Sequence, residues 1–97
     1  MKVIWTQKAL LRLEEIEEYI AIDSPDRAVD FVSELMNQAD TLAEFPKSGR
    51  IVIEDDEQTR RELIYSGYRI IYRVESAAVY ILSVFEGSRL IRVSDLK

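Results

Sequence analysis

Between Thr59 and Phe85 the chain runs TRRELIYSGYRIIYRVESAAVYILSVF, three stretches of β-branched and aromatic residues separated by Ser66-Gly67 and Ser76-Ala77. Turns of two residues predict three consecutive antiparallel strands and set their register. Tyr65 then lies opposite Tyr68 and Arg60 opposite Arg73; across the second turn Glu75 lies opposite Ala78, Ile71 opposite Leu82 and Arg69 opposite Val84. Because side chains alternate along a strand, each residue is assigned a side. One side collects Arg61, Leu63, Tyr65, Tyr68, Ile70, Tyr72, Val74, Val79, Ile81, Ser83 and Phe85, a mostly apolar set that should lie against helices. The other collects Arg60, Glu62, Ile64, Arg69, Ile71, Arg73, Tyr80, Leu82 and Val84. Three arginines and a glutamate among aliphatic residues are unusual for a plain solvent face, so this side is the place to look for function.

Ahead of these strands the period changes. Met1 to Trp5 is a short β-rich stretch. Thr6 can cap a helix to about Ile22, in which Ala9, Leu10, Leu13, Ile16 and Ile20 recur at helical spacing. Glu14, Glu15, Glu17 and Glu18 crowd its remaining surface, a solvated face or, on the sharper reading, a docking surface for a basic partner. Ser24-Pro25-Asp26 starts a second helix, with a capping hydroxyl, proline at the first position and an acid at the positive end of the dipole. It continues to about Glu44, with Ala28, Phe31, Val32, Leu35, Ala39 and Leu42 in one stripe. Phe45-Pro46-Lys47-Ser48-Gly49-Arg50 ends it. Ile51-Val52-Ile53 is a short strand near an edge, and Glu54-Asp55-Asp56-Glu57 is expected to be a mobile charged loop. The tail after Glu86 is too brief to assign. The order β-α-α-β-β-β-β predicts an α+β fold, a two-helix hairpin packed on one face of a mostly antiparallel sheet. Residues 1–97 are expected to form a single domain.

Composition narrows the function classes. With 47% hydrophobic residues, three glycines and two prolines the chain is globular in character, not disordered. It has no cysteine and no histidine, which removes a disulfide frame and the usual zinc ligands. No cofactor or metal is expected. No apolar run approaches the roughly 18 residues a membrane span needs, and charges from Lys8 onward interrupt any signal-peptide pattern. A cytoplasmic protein without a membrane partner is the simplest expectation. The net charge of −5 argues against general nucleic-acid affinity. The distribution is lopsided: residues 1–57 carry six Lys/Arg against fourteen Asp/Glu, a balance of −8, and residues 58–97 seven against four, +3. This permits a local anion or acidic-protein site on the sheet.

The opening VIWT, the DSPDRA helix start, FPKSGR after the second helix, RREL, SGYRIIYRV and ILSVFEGSRL occur in an order and spacing that resemble the RelE/ParE superfamily of toxins from bacterial type II toxin–antitoxin modules, over nearly the full length. The helix hairpin, the DSP start and the FPKSGR loop look more ParE-like. The resemblance implies a toxin neutralised by a cognate antitoxin, whose helix would lie over the grooves beside the toxin helices and whose strand would extend the sheet, and a role of the plasmid-stabilisation kind. Its ParE branch implies poisoning of DNA gyrase by binding, without catalysis. Its RelE branch implies cleavage of messenger RNA at the ribosome without a metal.

Such a nuclease needs a base for the 2′-hydroxyl, cations for the phosphate and an acid for the leaving oxygen. By alignment on SGYR, Glu62 is the candidate base and Arg60, Arg69 and Arg89 the candidate cations. Relatives that cleave place a tyrosine or histidine acid near the chain end; here no histidine exists and no tyrosine follows Tyr80. The expected function is therefore the gyrase poison, with Arg60, Arg69, Arg73 and Arg89 as its contact surface. The alternatives are a RelE-type nuclease and a relative that binds antitoxin but has lost toxicity. In the structural reading of the same residues, Glu62 sits diagonally between Arg69 and Arg73 as a salt bridge, Tyr65, Tyr68 and Tyr72 are core aromatics with rim hydroxyls, and Trp5 covers the sheet edge.

Overall fold

The computed structural model describes residues 1–87 and 91–96. A strand β1 (Lys2–Trp5) leads into helices α1 (Gln7–Ala21) and α2 (Pro25–Asp40), followed by strands β2 (Arg50–Ile51), β3 (Arg60–Tyr65), β4 (Tyr68–Glu75) and β5 (Ala78–Glu86). Single turns of tighter helix follow α2 at Thr41–Ala43 and lie in the tail at Val93–Leu96. The strands form one sheet in the order β1-β5-β4-β3-β2, antiparallel except for β1, which runs parallel to β5. No helix among the described residues is long and apolar enough to cross a membrane.

Local chemistry explains the helix starts. Thr6 accepts the Ala9 amide on Oγ1 at 3.2 Å and donates the same hydroxyl to the Ile81 carbonyl at 2.7 Å, so the cap of α1 also ties it to β5. Ser24 caps α2 by accepting the Arg27 amide at 3.2 Å, with Pro25 first in the helix. The apolar stripes then meet the sheet. Ala9, Leu13, Phe31, Leu35, Ala39 and Leu42 bury against Ile70, Tyr72, Val79 and Ile81, with Trp5, Leu63, Tyr65 and Tyr68 packed at the margin. Each fully buried Leu or Phe contributes about 1.5–3 kcal/mol of apolar transfer, which helices this short need in order to persist.

The first hairpin has the expected register, from Arg60 opposite Arg73 to Tyr65 opposite Tyr68. Ser66 and Gly67 both adopt positive φ, 49° and 83°, the backbone of a tight hairpin turn matched to strand twist. The second hairpin departs from expectation. Glu75 faces Ala78 and Tyr72 faces Ile81, but Ile71 then faces Ser83 and Arg69 faces Phe85. A bulge inserts Leu82 and reverses the alternation beyond it. Val84 consequently joins the helix-side core and Phe85 the opposite side, the reverse of the simple assignment. Ser83 also leaves the helix side; its buried hydroxyl finds no hydrogen-bond partner among the described residues.

Two aliphatic residues of the second side, Ile71 and Leu82, have a structural purpose. Ile71, Leu82 and Phe85 pack with Val52, Ile91 and Leu96 in a smaller second core, bordered by Tyr80. The segment after β2 and the tail close it.

Candidate functional site

The loop between β2 and β3 was expected to be mobile, and the structure corrects this. Val52 is fully buried beneath it. Asp55, 6% exposed, accepts backbone N–H bonds from Glu57, Thr59 and Arg60 at 3.2, 2.9 and 2.8 Å. Burial alone would push the Asp55 carboxyl upward, but these donors and the Arg60 charge outweigh it and hold its pKa below the usual value. The run of acids is anchored through its second member.

The first member reaches across to the sheet. Arg69 donates Nη1 and Nη2 to the two oxygens of Glu54 at 3.0 and 2.8 Å, a bidentate fork, and Nε to Glu62 Oε1 at 2.6 Å. Glu62, its side chain only 1% exposed, receives Arg50 Nε on its other oxygen at 2.7 Å. The Glu54 hydrogen bond, opposed in part by burial and reinforced by Glu62, raises the Arg69 pKa; the same bond lowers that of Glu54. Two carboxylates and two guanidinium groups thus form a neutral chain across β2, β3 and β4.

The remaining site candidates are distributed differently. Arg60 donates Nε to the Leu96 carbonyl at 2.8 Å and Nη1 to Glu57 at 2.7 Å, fastening the tail to β3. Arg73 was expected beside Glu62; instead it pairs with Glu75 and lies over the Tyr80 ring, 4.8 Å from its centroid. Arg50, which sequence reasoning placed only in a terminating loop, takes the position expected of Arg73, because β2 pairs Arg50 directly opposite Glu62. Arg89 lies outside the described residues. The structure therefore joins Glu62 with Arg69, separates both from Arg60 and Arg73, and adds Arg50 and Glu54.

Arg50, Ile51, Ile53, Glu54, Glu62, Ile64, Gly67, Arg69 and Gly87 line an open cleft of about 420 Å³ beside this chain of charges. The FPKSGR loop is held against it by Tyr72, whose hydroxyl accepts the Gly49 amide at 2.9 Å and donates to the Pro46 carbonyl at 2.8 Å. That hydroxyl is internal, not at the rim. Tyr65 donates to Glu34 at 2.6 Å, joining β3 to α2.

Residues 3–91 match the family model of the ParE toxin of the type II toxin–antitoxin system parDE. Putative toxin Y4kP of Sinorhizobium fredii is 41% identical over 85 residues, covering 86% of this chain and 84% of that protein. Toxin RelE2 of Caulobacter vibrioides is 37% identical over 90 residues, covering 92% and 98%. In fold, a solved chain of the chromosomal ParDE toxin–antitoxin system from P. aeruginosa superposes with a TM-score of 0.77 at 24% identity, over 89% of this chain and 95% of that one. The hairpin of helices on a mixed sheet, the SGYR turn and the FPKSGR loop thus belong to a toxin of the ParE family of type II toxin–antitoxin systems.

Proposed function

We propose that this toxin acts by binding DNA gyrase and trapping the enzyme on cleaved DNA, and that a cognate antitoxin neutralises it. The observation that carries the binding mode is the condition of Glu62. A general base must present an accessible oxygen within hydrogen-bond reach of the hydroxyl it activates. Both Glu62 oxygens already accept charge-assisted bonds from guanidinium groups, and the side chain is 1% exposed. Arg69, the matching candidate for the phosphate, has its fork filled by Glu54. The target surface in this reading is the arginine side of the sheet with the tail, Arg60, Arg69, Arg73 and Arg89. Among the described members, the Arg73 side chain is the most accessible, 36% exposed.

One observation favours the nuclease as a second reading: a relative 37% identical carries the name RelE2. A gyrase supercoiling and cleavage assay with purified toxin, beside a translation extract containing a defined messenger, separates the two. Accumulated cleaved DNA with intact messenger is the expected result. Messenger cut while gyrase is untouched would overturn the binding mode, and inactivity in both would mark a relative without toxicity.

A further inference from the structure

Arg60 and Arg73 stand directly opposite each other on β3 and β4. Like charges so placed destabilise a sheet, and their neighbours relieve them only loosely. Arg60 is anchored through Nε to the Leu96 carbonyl and through Nη1 to the Thr59 hydroxyl at 3.0 Å. Arg73 is held over the Tyr80 ring. Glu57 pairs with Arg60 and Glu75 with Arg73, and these carboxylate side chains are 73% and 57% exposed. Ion pairs so open to water are worth little, so either acid can turn into solvent at small cost. Arg69 is different, because the buried Glu62 backs the fork that Glu54 fills. Glu57, Thr59, Arg60, Arg73, Val74 and Glu75 line an open cleft of about 410 Å³ on the far side of the sheet face from the Glu62 chain of charges.

We propose that this cleft holds one phosphate group, which displaces Glu57 and Glu75 from between Arg60 and Arg73, and that in the working complex the phosphate belongs to the backbone of the DNA on which gyrase is trapped. This rests on the gyrase reading given above and names the chemistry that one part of its contact surface recognises. A backbone phosphate has two unesterified oxygens, one for each guanidinium, and guanidinium forks match phosphate geometry. Stacking on Tyr80 holds the Arg73 plane ready for the contact. The Thr59 hydroxyl accepts from Arg60 and keeps its proton to donate. With a net charge of −5 the toxin repels nucleic acid at long range, so the phosphate is one that a DNA-holding enzyme presents. Free phosphate is the other source of the same chemistry.

Two measurements test the assignment. Inorganic phosphate and a short single-stranded DNA are titrated into the toxin while the Nε–H signals of Arg60, Arg69 and Arg73 are followed by NMR. Those of Arg60 and Arg73 should shift and that of Arg69 should not. Glu75→Gln removes a competing carboxylate and should tighten both probes severalfold, whereas Arg73→Gln should weaken them about tenfold. Arg73→Gln should also make binding of the single strand less steep in salt, by about 0.7 in the log–log slope. A purely structural role for Arg73 would leave that slope unchanged. The second measurement is gyrase cleavage, for which Arg73→Gln, melting near the parental temperature, should require about tenfold more toxin. Unmoved Arg60 and Arg73 signals would overturn the site. Phosphate binding at Arg60 and Arg73, with gyrase poisoned equally by parent and Arg73→Gln, would leave the cleft to free phosphate and overturn the DNA assignment. If the parent leaves gyrase untouched, the gyrase reading falls and takes the DNA source with it, while the titration still decides whether the cleft holds phosphate.

Discussion

Replacing Glu62 with glutamine would leave Arg69 Nε and Arg50 Nε facing an amide that carries no charge and has a single acceptor oxygen. Removing one member of a buried ion pair costs about 3–5 kcal/mol where the surviving charge is uncompensated. Here Arg69 keeps Glu54 and Arg50 is largely exposed, so the expected loss for Glu62→Gln is nearer the lower figure. Urea unfolding measures it, and parental stability would show that the carboxylate is dispensable to the fold. The consequence for function is direct. Loss of toxicity in Glu62→Gln would identify a catalytic base only if the variant were shown to be folded. From the sequence, Glu62 could be placed on the arginine side of β3 by alternation alone. Its partners could not, because Arg50 arrives from a strand of two residues and Glu54 from a loop, neither with a periodic signature.

At the scale of elements, the join between the FPKSGR loop and the sheet decides where β2 lies. A Cβ added at Gly49 would stand 2.6 Å from both the Glu62 carbonyl oxygen and the Tyr72 hydroxyl. The need for glycine there is close approach of backbones, not a left-handed conformation. Gly49→Ala should cost about 1–3 kcal/mol by overpacking, and hydrogen exchange at Arg50 to Val52 should accelerate more than exchange in β4. Uniform acceleration throughout the sheet would contradict so local a role. The glycine was visible in the sequence as a turn signal, whereas its contact with β3 and Tyr72 was not. The bulge at Leu82 is a similar case. Leucine is apolar on either side of the sheet, so no local residue announces the shift, and the second core under the tail rewards it by burying Phe85.

Across the molecule, three of the arginines that carry the basic balance of the second half, on the described strands β3 and β4, are engaged by carboxylates. Arg60, Arg69 and Arg73 each pair with carboxylates, three of which, Glu54, Asp55 and Glu57, belong to the acidic loop. This pairing gives stability a definite pH dependence. The pKa values of Glu54 and Asp55 lie below their ordinary values of 4.5 and 3.8. Groups whose pKa is depressed by folding contribute stability that is fully present above the unfolded value and lost as pH falls through the folded one. Melting temperature should therefore be level from neutrality to about pH 5 and fall below that. Asp55→Asn should lower the plateau and flatten the acid limb, because amide nitrogens cannot accept the three backbone donors in the same way. A parent whose melting temperature held level to about pH 3 would show that the anchored loop contributes little.

Patterns along the chain set the element order, both helix starts, the first hairpin's register and the division of β3, β4 and β5 as far as Leu82 into an apolar side and an arginine side; beyond the bulge that division reverses. These depend on short-range chemistry: caps, turn backbones and the periods of helix and strand. Only the tertiary structure decided which arginine meets which carboxylate, that β1 closes the sheet in parallel beside β5, and that the acidic loop is anchored. It also decided that the mixed side carries a second core. Each of these depends on contacts between residues distant in sequence, whose distances follow from packing the helices and the tail onto the sheet and not from any pattern along the chain.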